Sequence, residues 1–146
     1  MIRRLEIKDI PKLAKYAEEF YASSEFLAGF NIDIFRASWE KLIGSGMGVI
    51  FILEDETEIY GALGAVKYPD FNSGQLIACE MFWYVAQEKR GEGLSLLDAF
   101  EKWAKDEGCK YINMTYLADS MPEIIKRIYE RRGYTLAEVA YKKEVT

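Results

Sequence analysis

The spacing of apolar residues changes several times along the chain, and each change marks a predicted element. Apolar residues recur at helical spacing from Leu13 to Phe20, which predicts a first helix ending near Ala22. Continuous apolar runs bounded by turn residues are typical of buried strands. In chain order the pattern predicts a strand at 2–7, helices at 11–22 and 33–43, strands at 49–53, 59–68 and 76–85, a helix between the loop 87–93 and Gly108, a strand at 111–117, a helix from Pro122 to about Arg132, and a closing strand or hairpin at 134–145.

This order of elements predicts a mixed sheet. Three consecutive strands joined by short turns form an antiparallel meander, and the next helix carries the chain across to a parallel strand. We therefore expect an α/β fold (an α+β mixed sheet) of six to seven strands with about four helices on both faces. A chain of 146 residues has the length of one ordinary domain, so residues 1–146 are predicted to form a single domain.

Composition and charge exclude several classes of function. The 24 Asp and Glu residues outnumber the 19 Lys and Arg residues, and general nucleic-acid binders have the opposite balance, so no nucleic-acid partner is expected. The chain has no histidine, which removes histidine-dependent catalysis and histidine-ligated zinc. Cys79 and Cys109 are too few for a cysteine-only zinc site. We expect two reduced thiols and no metal.

The hydrophobic stretches are too short for membrane insertion. None approaches the roughly 18 residues that a membrane-spanning helix needs. Charge at Arg3 and Arg4, with no apolar core after it, predicts that the chain carries no secretion signal. These features predict a soluble cytoplasmic protein with no membrane partner.

The segment 80–95 combines the end of a strand, a glycine-containing loop and the start of a helix. Gly91 and Gly93 allow a ligand to approach the backbone closely, and the free N–H groups of a first helical turn favour an anion. The common nucleotide motifs do not match, because Leu96 stands where a dinucleotide motif needs its third glycine and no Gly-Lys-Ser/Thr sequence occurs. A phosphate site and an ordinary strand-to-helix turn therefore both remain open on this pattern alone.

This segment resembles the acyl-CoA-binding signature of the GNAT superfamily of N-acetyltransferases, Gln/Arg-x-x-Gly-x-Gly/Ala. Arg90, Gly93 and Ser95 occupy its three defined positions, with serine in place of glycine or alanine at the last. Residues 128–134 are similar to the family's second signature, Tyr-x-x-x-Gly-aromatic, on the last helix. The resemblance extends over nearly the whole chain, because the predicted helices and strands follow the same order as in the family. Pro122 departs from it, because family members often have asparagine there.

The resemblance implies a GNAT-like fold that binds acetyl-CoA. In the family, backbone N–H groups of the loop hold the pyrophosphate, and the end of the preceding strand binds the pantetheine arm. The residues thereby implied are Trp83, Tyr84 and Val85 along the pantetheine arm, and Arg90, Gly91, Glu92, Gly93, Leu94 and Ser95 around the pyrophosphate. A basic cluster on the last helix has two interpretations, a contact with the 3′-phosphate of CoA or a solvated face. Its members are Lys126, Arg127, Arg131 and Arg132.

Two residues are the candidates for catalysis. The resemblance gives Tyr129 the role of proton donor to the departing CoA thiolate, and the alternative is a core aromatic. Glu80 is a carboxylate in an otherwise apolar strand, where alternation places it on the same face as Phe82 and Tyr84. Burial would raise the pKa of Glu80 toward that of a useful base. A structural or substrate-positioning role for Glu80, with water as the base, remains open.

The first two helices and the loop between them usually shape the acceptor pocket in this family. Here they combine acidic and aromatic residues: Glu18, Glu19, Phe20, Tyr21, Glu25, Phe26, Phe30 and Asp33. This mixture suits a cationic amine with an apolar body, such as a polyamine, an aminoglycoside-like amine, or a peptide N-terminus or lysine. The alternative is that the aromatic residues belong to the core and the acidic residues are solvated.

The predicted function is therefore direct transfer of an acetyl group from acetyl-CoA to a primary amine of a small molecule or peptide, in a ternary complex. Cys79 lies within a strand and Cys109 follows a helix end, so neither is placed to carry a covalent acyl group. Two other functions remain open, a non-catalytic acyl-CoA-binding regulatory module and a cofactor-free protein-interaction domain. Dimers are common in the family, so the resemblance also makes a homodimer an expectation.

Overall fold

The computed structural model describes residues 1–22 and 29–146. Within these ranges five strands form one sheet: β1 (Ile2–Arg4), β2 (Gly48–Glu54), β3 (Ile59–Pro69), β4 (Leu76–Val85) and β5 (Tyr111–Asn113). The strands lie side by side in chain order. Neighbours from β1 to β4 are antiparallel, and β5 is parallel to β4. The predicted mixed sheet is confirmed.

The helices of the described ranges include four α-helices: α1 (Ile10–Ala22), α2 (Ile32–Gly44), α3 (Leu94–Asp106) and α4 (Pro122–Arg131). Helix α2 begins after Asn31, whose side chain accepts hydrogen bonds from the N–H groups of Asp33 and Ile34. Pro122 begins α4, at a position where its missing N–H leaves no helical bond unmade. Helix α3 provides the crossover that joins β4 to its parallel neighbour β5.

Alternate side chains of β2 belong to two separate hydrophobic cores. Ile50 and Ile52 pack with residues of α1 and α2 on one face, whereas Phe51 and Leu53 pack with residues of α3 on the other. All four side chains are buried. Because helices cover both faces of the sheet, this strand is a continuous apolar run in the sequence.

The pairing of β4 with β3 shifts by one residue between Glu80 and Phe82, so that Met81 has no partner on β3. A bulge of this kind interrupts the alternation of side chains between the two faces. Ala78 accordingly packs in the core on the α3 side, and Phe82 packs in the core beneath α1 and α2. The expected common face for Glu80, Phe82 and Tyr84 assumed unbroken alternation, which the bulge removes.

The sheet has five strands in the described ranges, where six to seven were expected. The predicted closing strand at 134–145 is wrong, because no residue of that segment is in a strand, and Leu136 and Val139 are each 70% exposed. Val139, Tyr141 and Val145 have the spacing of one strand face, but they are 70%, 97% and 91% exposed, so this face is not buried in the structure. Strand β5 is also shorter than the predicted 111–117, since the chain leaves the sheet after Asn113.

Three further observations bear on the predicted classes of function. In the part of the chain that the structure describes, no helix is both long enough and apolar enough to cross a membrane. The same residues contain no cluster of three Cys, Asp or Glu side chains arranged to hold a metal ion. Cys79 and Cys109 are both free thiols.

Candidate active site

A cavity of about 570 Å³ opens where β4 and β5 separate. The two strands pair only from Ile77 to Cys79 on β4, so the second half of β4 and the segment after β5 leave a space between them. Helix α4 lines this space with Ile124 and Ile128, and α1 reaches it with Glu19. An apolar wall with a few polar groups, at this volume, is typical of a small-molecule site.

Glu80 is the buried charged residue of this cavity, with 6% of its surface exposed. Its Oε2 atom accepts a hydrogen bond of 2.7 Å from the Thr115 hydroxyl and a longer one of 3.3 Å from the Thr115 N–H. Burial raises the pKa of Glu80 to about 7, although both hydrogen bonds act in the opposite direction. A carboxyl group in this state exchanges a proton readily near neutral pH.

Tyr129 lines the same cavity from α4 and is 8% exposed. Its hydroxyl donates a hydrogen bond of 2.5 Å to the Thr115 carbonyl oxygen. Its ring stacks on Trp83, at 6.4 Å between centroids, and lies 5.6 Å from the ring of Tyr134. Burial, followed by the nearby charge of Glu80, raises the pKa of Tyr129 above its ordinary value, so the phenol stays protonated.

Thr115 therefore contacts both predicted catalytic residues, a role that the sequence analysis did not predict. The predicted strand 111–117 includes Thr115, and the observed strand β5 at its start lies beside β4. Nothing in its local pattern distinguishes it from the residues on either side, and Glu80 lies 35 residues earlier in the chain.

The structure brings most of the predicted site residues to one cavity. Those that line it are Glu80, Trp83, Tyr84, Val85, Arg90, Gly93, Leu94 and Tyr129. Gly91, Glu92 and Ser95 instead line a smaller, separate cavity of about 320 Å³, together with Met1, Ile2 and Leu53. The loop predicted to bind phosphate thus lies between the two cavities.

The loop itself forms a 3₁₀ turn, Gln87–Glu92, directly before α3. The Gly93 N–H donates to the Arg90 carbonyl, and the Ser95 hydroxyl donates to the Glu92 carbonyl. At Gly93 a Cβ atom would lie 2.9 Å from Val85 Cγ2, so glycine is required for this close packing. Gly91 has open space around it.

This difference between the two glycines gives a prediction about stability. We expect Gly93→Ala to lower the free energy of unfolding by about 1–3 kcal/mol, since the added methyl group overpacks against a stiff valine and the backbone. Gly91→Ala is expected to change it by no more than about 0.5 kcal/mol. Urea denaturation of both variants measures the difference. Equal unfolding free energies would contradict the close approach of Gly93 to Val85.

The basic cluster of α4 divides in the structure. Arg132 forms ion pairs with Asp98 and Glu101 of α3, and its Nη2 lies 3.0 Å from Glu101 Oε2. These contacts raise the pKa of Arg132 further and fasten the end of α4 to α3. The remaining members, Lys126, Arg127 and Arg131, are exposed. Of the four candidates for a 3′-phosphate contact, Arg132 is thus already engaged by carboxylates.

Only part of the predicted acceptor region lies in the cavity. Glu19 and Phe20 line it, and the Phe20 ring lies 5.4 Å from the ring of Tyr84. Tyr21 stacks on Phe30, at 5.3 Å between centroids, beside this wall. Glu18 and Asp33 are exposed, and Glu25 and Phe26 lie outside the described residues.

Solved structures of acetyltransferases share this architecture. Glucosamine-6-phosphate N-acetyltransferase from Arabidopsis thaliana is 20% identical over 100% of this chain and 98% of that chain, with a TM-score of 0.75. Ribosomal-protein-alanine N-acetyltransferase from Brucella melitensis biovar Abortus 2308 is 17% identical over 99% of each chain, with a TM-score of 0.72. A predicted acetyltransferase from Clostridium acetobutylicum, solved with acetyl-CoA, is 14% identical over 99% of this chain and 95% of that chain, with a TM-score of 0.79. The fold is one that acetyltransferases adopt.

Sequence comparison identifies the family itself. The model of the acetyltransferase (GNAT) family matches residues 12–134, which is most of the chain. The chain belongs to the acetyltransferase (GNAT) family, as its two signature segments indicated. A comparison with curated protein sequences finds no significant match.

Proposed function

We propose that this protein transfers an acetyl group from acetyl-CoA directly to a primary amine of a small molecule or peptide, with both substrates bound together. The observation that carries the proposal is the presence, in one cavity, of a buried carboxyl group and a buried phenol that both contact Thr115. Transfer to an amine needs a group that accepts the amine proton and a donor that stabilises the departing sulfur. Glu80 and Tyr129 have the chemistry of these two groups.

The cavity is suited to the pantetheine arm of acetyl-CoA, the co-substrate that supplies the acyl group as an activated thioester. Val85, Leu94 and Ile128 provide an apolar wall for the arm. In the described chain, Trp83 Nε1 is the buried side-chain donor that has no hydrogen-bond partner. A buried N–H without a partner is costly, and an amide carbonyl of the arm is a group that can satisfy it.

The pyrophosphate is proposed to bind at the start of α3, where the N–H groups of the first turn have no partner within the helix. Because the Gly93 N–H is already bonded to the Arg90 carbonyl, we assign this role chiefly to Leu94 and Ser95. Arg90 adds a positive charge beside them. Gly91 and Glu92 act through the shape of the 3₁₀ turn that leads into the helix.

Glu80 is proposed to accept the proton of the amine during attack. Since the pKa of Glu80 is raised to about 7, the group is largely a carboxylate above that pH and still basic enough to take a proton. Activity should therefore rise as the pH passes about 7.

Tyr129 is proposed to donate a hydrogen bond to the departing thiolate. A thiol has a pKa of about 8.5, and burial raises the pKa of Tyr129 above its ordinary value of about 10. The phenol is therefore a weaker acid here than the expected role of full proton donor assumed. Stabilisation of the thiolate by a hydrogen bond needs no complete transfer of that proton, and the hydroxyl need only turn from the Thr115 carbonyl to the sulfur.

The cysteines support direct transfer. Burial raises the pKa of both thiols, which disfavours the nucleophilic thiolate, and neither residue is part of the cavity lining. We also keep a cytoplasmic location as a proposal, since free thiols are maintained there. We also propose a homodimer, since dimers are common in the family.

A thermal-shift titration tests the proposal first. Acetyl-CoA at about 100 times its Kd should stabilise the fold by roughly 2.7 kcal/mol, several degrees for a domain of this size. CoA should act similarly and ATP much less, because the pantetheine arm occupies the cavity. Release of free thiol in the presence of a panel of amines then reports transfer.

The outcomes separate the three candidate functions. A shift with acetyl-CoA together with amine-dependent thiol release supports the acetyltransferase. A shift without thiol release for any amine supports the non-catalytic acyl-CoA-binding module. The absence of any shift with acetyl-CoA or CoA contradicts both and favours a protein-interaction domain.

A further inference from the structure

Thr115 lies two residues beyond the end of β5 and forms hydrogen bonds with both proposed catalytic residues, Glu80 and Tyr129. Its hydroxyl and N–H both donate to one carboxylate oxygen of Glu80, at 2.7 and 3.3 Å. Its carbonyl oxygen accepts from the Tyr129 hydroxyl at 2.5 Å. A single residue thus binds a strand residue through its side chain and amide, and a helix residue through its carbonyl.

We propose that Thr115 is the positioning residue of this acetyltransferase, which holds the carboxylate of Glu80 and the phenol of Tyr129 at a fixed separation across the cavity. This inference rests on the proposed function of these two residues. Both hydrogen bonds engage Oε2 of Glu80, so we assign acceptance of the amine proton to Oε1. The Tyr129 contact gives its hydroxyl a defined orientation before CoA is bound.

The position of Thr115 in the fold explains why such a residue is needed. Strands β4 and β5 pair only as far as Cys79 and Asn113, and no ladder hydrogen bond joins them beyond that point in the described structure. Glu80 is the next residue on β4, and Thr115 lies two residues beyond the end of β5. The hydrogen bonds from Thr115 to the Glu80 carboxylate therefore join the two segments at the place where the sheet opens.

The groups around Glu80 offer no substitute for this contact. Those that face it or share the cavity are Tyr21 on α1, Cys79 on β4, Tyr129 on α4, and, in the cavity lining, Glu19, Tyr84, Arg90 and Tyr116. Both hydrogen bonds that the Glu80 side chain accepts in the described chain come from Thr115. Loss of the hydroxyl should therefore affect the ionisation and orientation of Glu80 directly.

The test compares Thr115→Val, which removes the hydroxyl but keeps the shape, with Thr115→Ser, which keeps the hydroxyl. Both variants retain the backbone carbonyl that Tyr129 contacts. The pKa of Glu80 is measured by NMR on protein carrying ¹³C-carboxyl glutamate, with the signal assigned by Glu80→Gln. We expect Thr115→Val to raise that pKa from about 7 to about 8 or higher, and Thr115→Ser to leave it near 7.

Kinetics should show the same change in a second way. A pKa raised from about 7 to about 8 lowers the ionised fraction of Glu80 at pH 7 about fivefold and alters it little at pH 9. The kcat/KM of Thr115→Val should therefore fall at least fivefold at pH 7 and recover partly at pH 9, whereas Thr115→Ser should follow the wild-type profile. If Thr115→Val does not fold, Thr115→Ala replaces it in the same comparison.

The two measurements distinguish failure of this inference from failure of the proposed function. The same Glu80 pKa in the wild type, Thr115→Val and Thr115→Ser overturns the positioning role, whatever the activity. A raised pKa in Thr115→Val supports the structural part of the role even in a protein without transferase activity. Absence of thiol release from the wild type with every amine would instead overturn the proposed function and, with it, the catalytic purpose of the contact.

Discussion

Replacing Tyr129 with phenylalanine is expected to lower kcat by about 10²–10³-fold and to leave the affinity for acetyl-CoA within a few-fold of the wild type. The change removes one hydrogen-bond donor from a buried site where negative charge develops on sulfur, and removal of such a donor has effects of this size. The ring remains, so its stacking on Trp83 and the wall of the cavity are preserved. Steady-state kinetics of thiol release, with a thermal-shift measurement of the Kd, provide both numbers.

Tyr134→Phe is the matched control for this prediction. The Tyr134 ring packs against Tyr129, but its hydroxyl donates to Glu101 Oε1 at 2.9 Å, on α3 and away from the cavity lining. Loss of that hydroxyl should leave kcat within a few-fold of the wild type. Equal decreases of kcat in the two variants would indicate that packing of α4, rather than hydrogen bonding to sulfur, governs the rate. An unchanged kcat in Tyr129→Phe would remove Tyr129 from the mechanism.

Much of the fold follows from local patterns. Helix and strand positions agree with the structure to within one or two residues for α1, α2, β2 and β3, and β4 was predicted with its observed bounds of Leu76–Val85. In each case a strong apolar period is bounded by turn or capping residues, such as the Asn31 cap of α2. The error at 134–145 has a different cause, because Val139, Tyr141 and Val145 alternate as in a strand but remain exposed in the structure, and a local pattern does not show whether a neighbouring strand is available for pairing.

The site was less accessible to sequence reasoning, since it depends on contacts between distant segments. Glu80 could be identified because a carboxylate in an apolar strand is conspicuous, and Tyr129 because a family signature contains it. Neither signal shows that Thr115 joins the two, or that a bulge at Met81 interrupts the alternation of β4. The carboxylates that pair with Arg132 are likewise 31 and 34 residues away in the sequence. The local pattern therefore did not show that one residue of the basic cluster is already paired.

Replacing Glu80 with glutamine should change both activity and the pH dependence of stability. Burial raises the folded-state pKa of Glu80 to about 7 from an ordinary value of 4.5, so the native state binds more protons than the unfolded state between these values. The contribution of Glu80 to stability is therefore fully present below pH 4.5 and is lost as the pH rises through about 7. Between pH 5 and pH 8 we expect this group to lower the free energy of unfolding by about 2–3 kcal/mol.

Urea denaturation of the wild type and Glu80→Gln at pH 5, 6, 7 and 8 measures this effect. The free energy of unfolding of Glu80→Gln, relative to the wild type, should rise by about 2–3 kcal/mol across the series, because glutamine does not ionise. Glu18→Gln, the same substitution at an exposed position on α1, is the matched control for removal of a carboxylate. The ion-paired carboxylates Asp9 and Glu54 have lowered pKa values, so they titrate below this range and do not obscure it.

Kinetic measurements on the same two proteins decide whether the buried Glu80 carboxylate takes part in catalysis. If Glu80 is the base, kcat/KM of the wild type rises as the pH passes about 7, and Glu80→Gln loses this rise together with about 10²–10⁴-fold of activity. The substitution then makes the protein more stable and less active at pH 8. A carboxyl group with a purely structural role would not give this combination, because its burial would be expected to favour the fold at the pH where the protein works. A variant that is more stable at pH 8 yet retains the wild-type pH profile would show that the base is another group or water, and that Glu80 is a buried acid without a catalytic part.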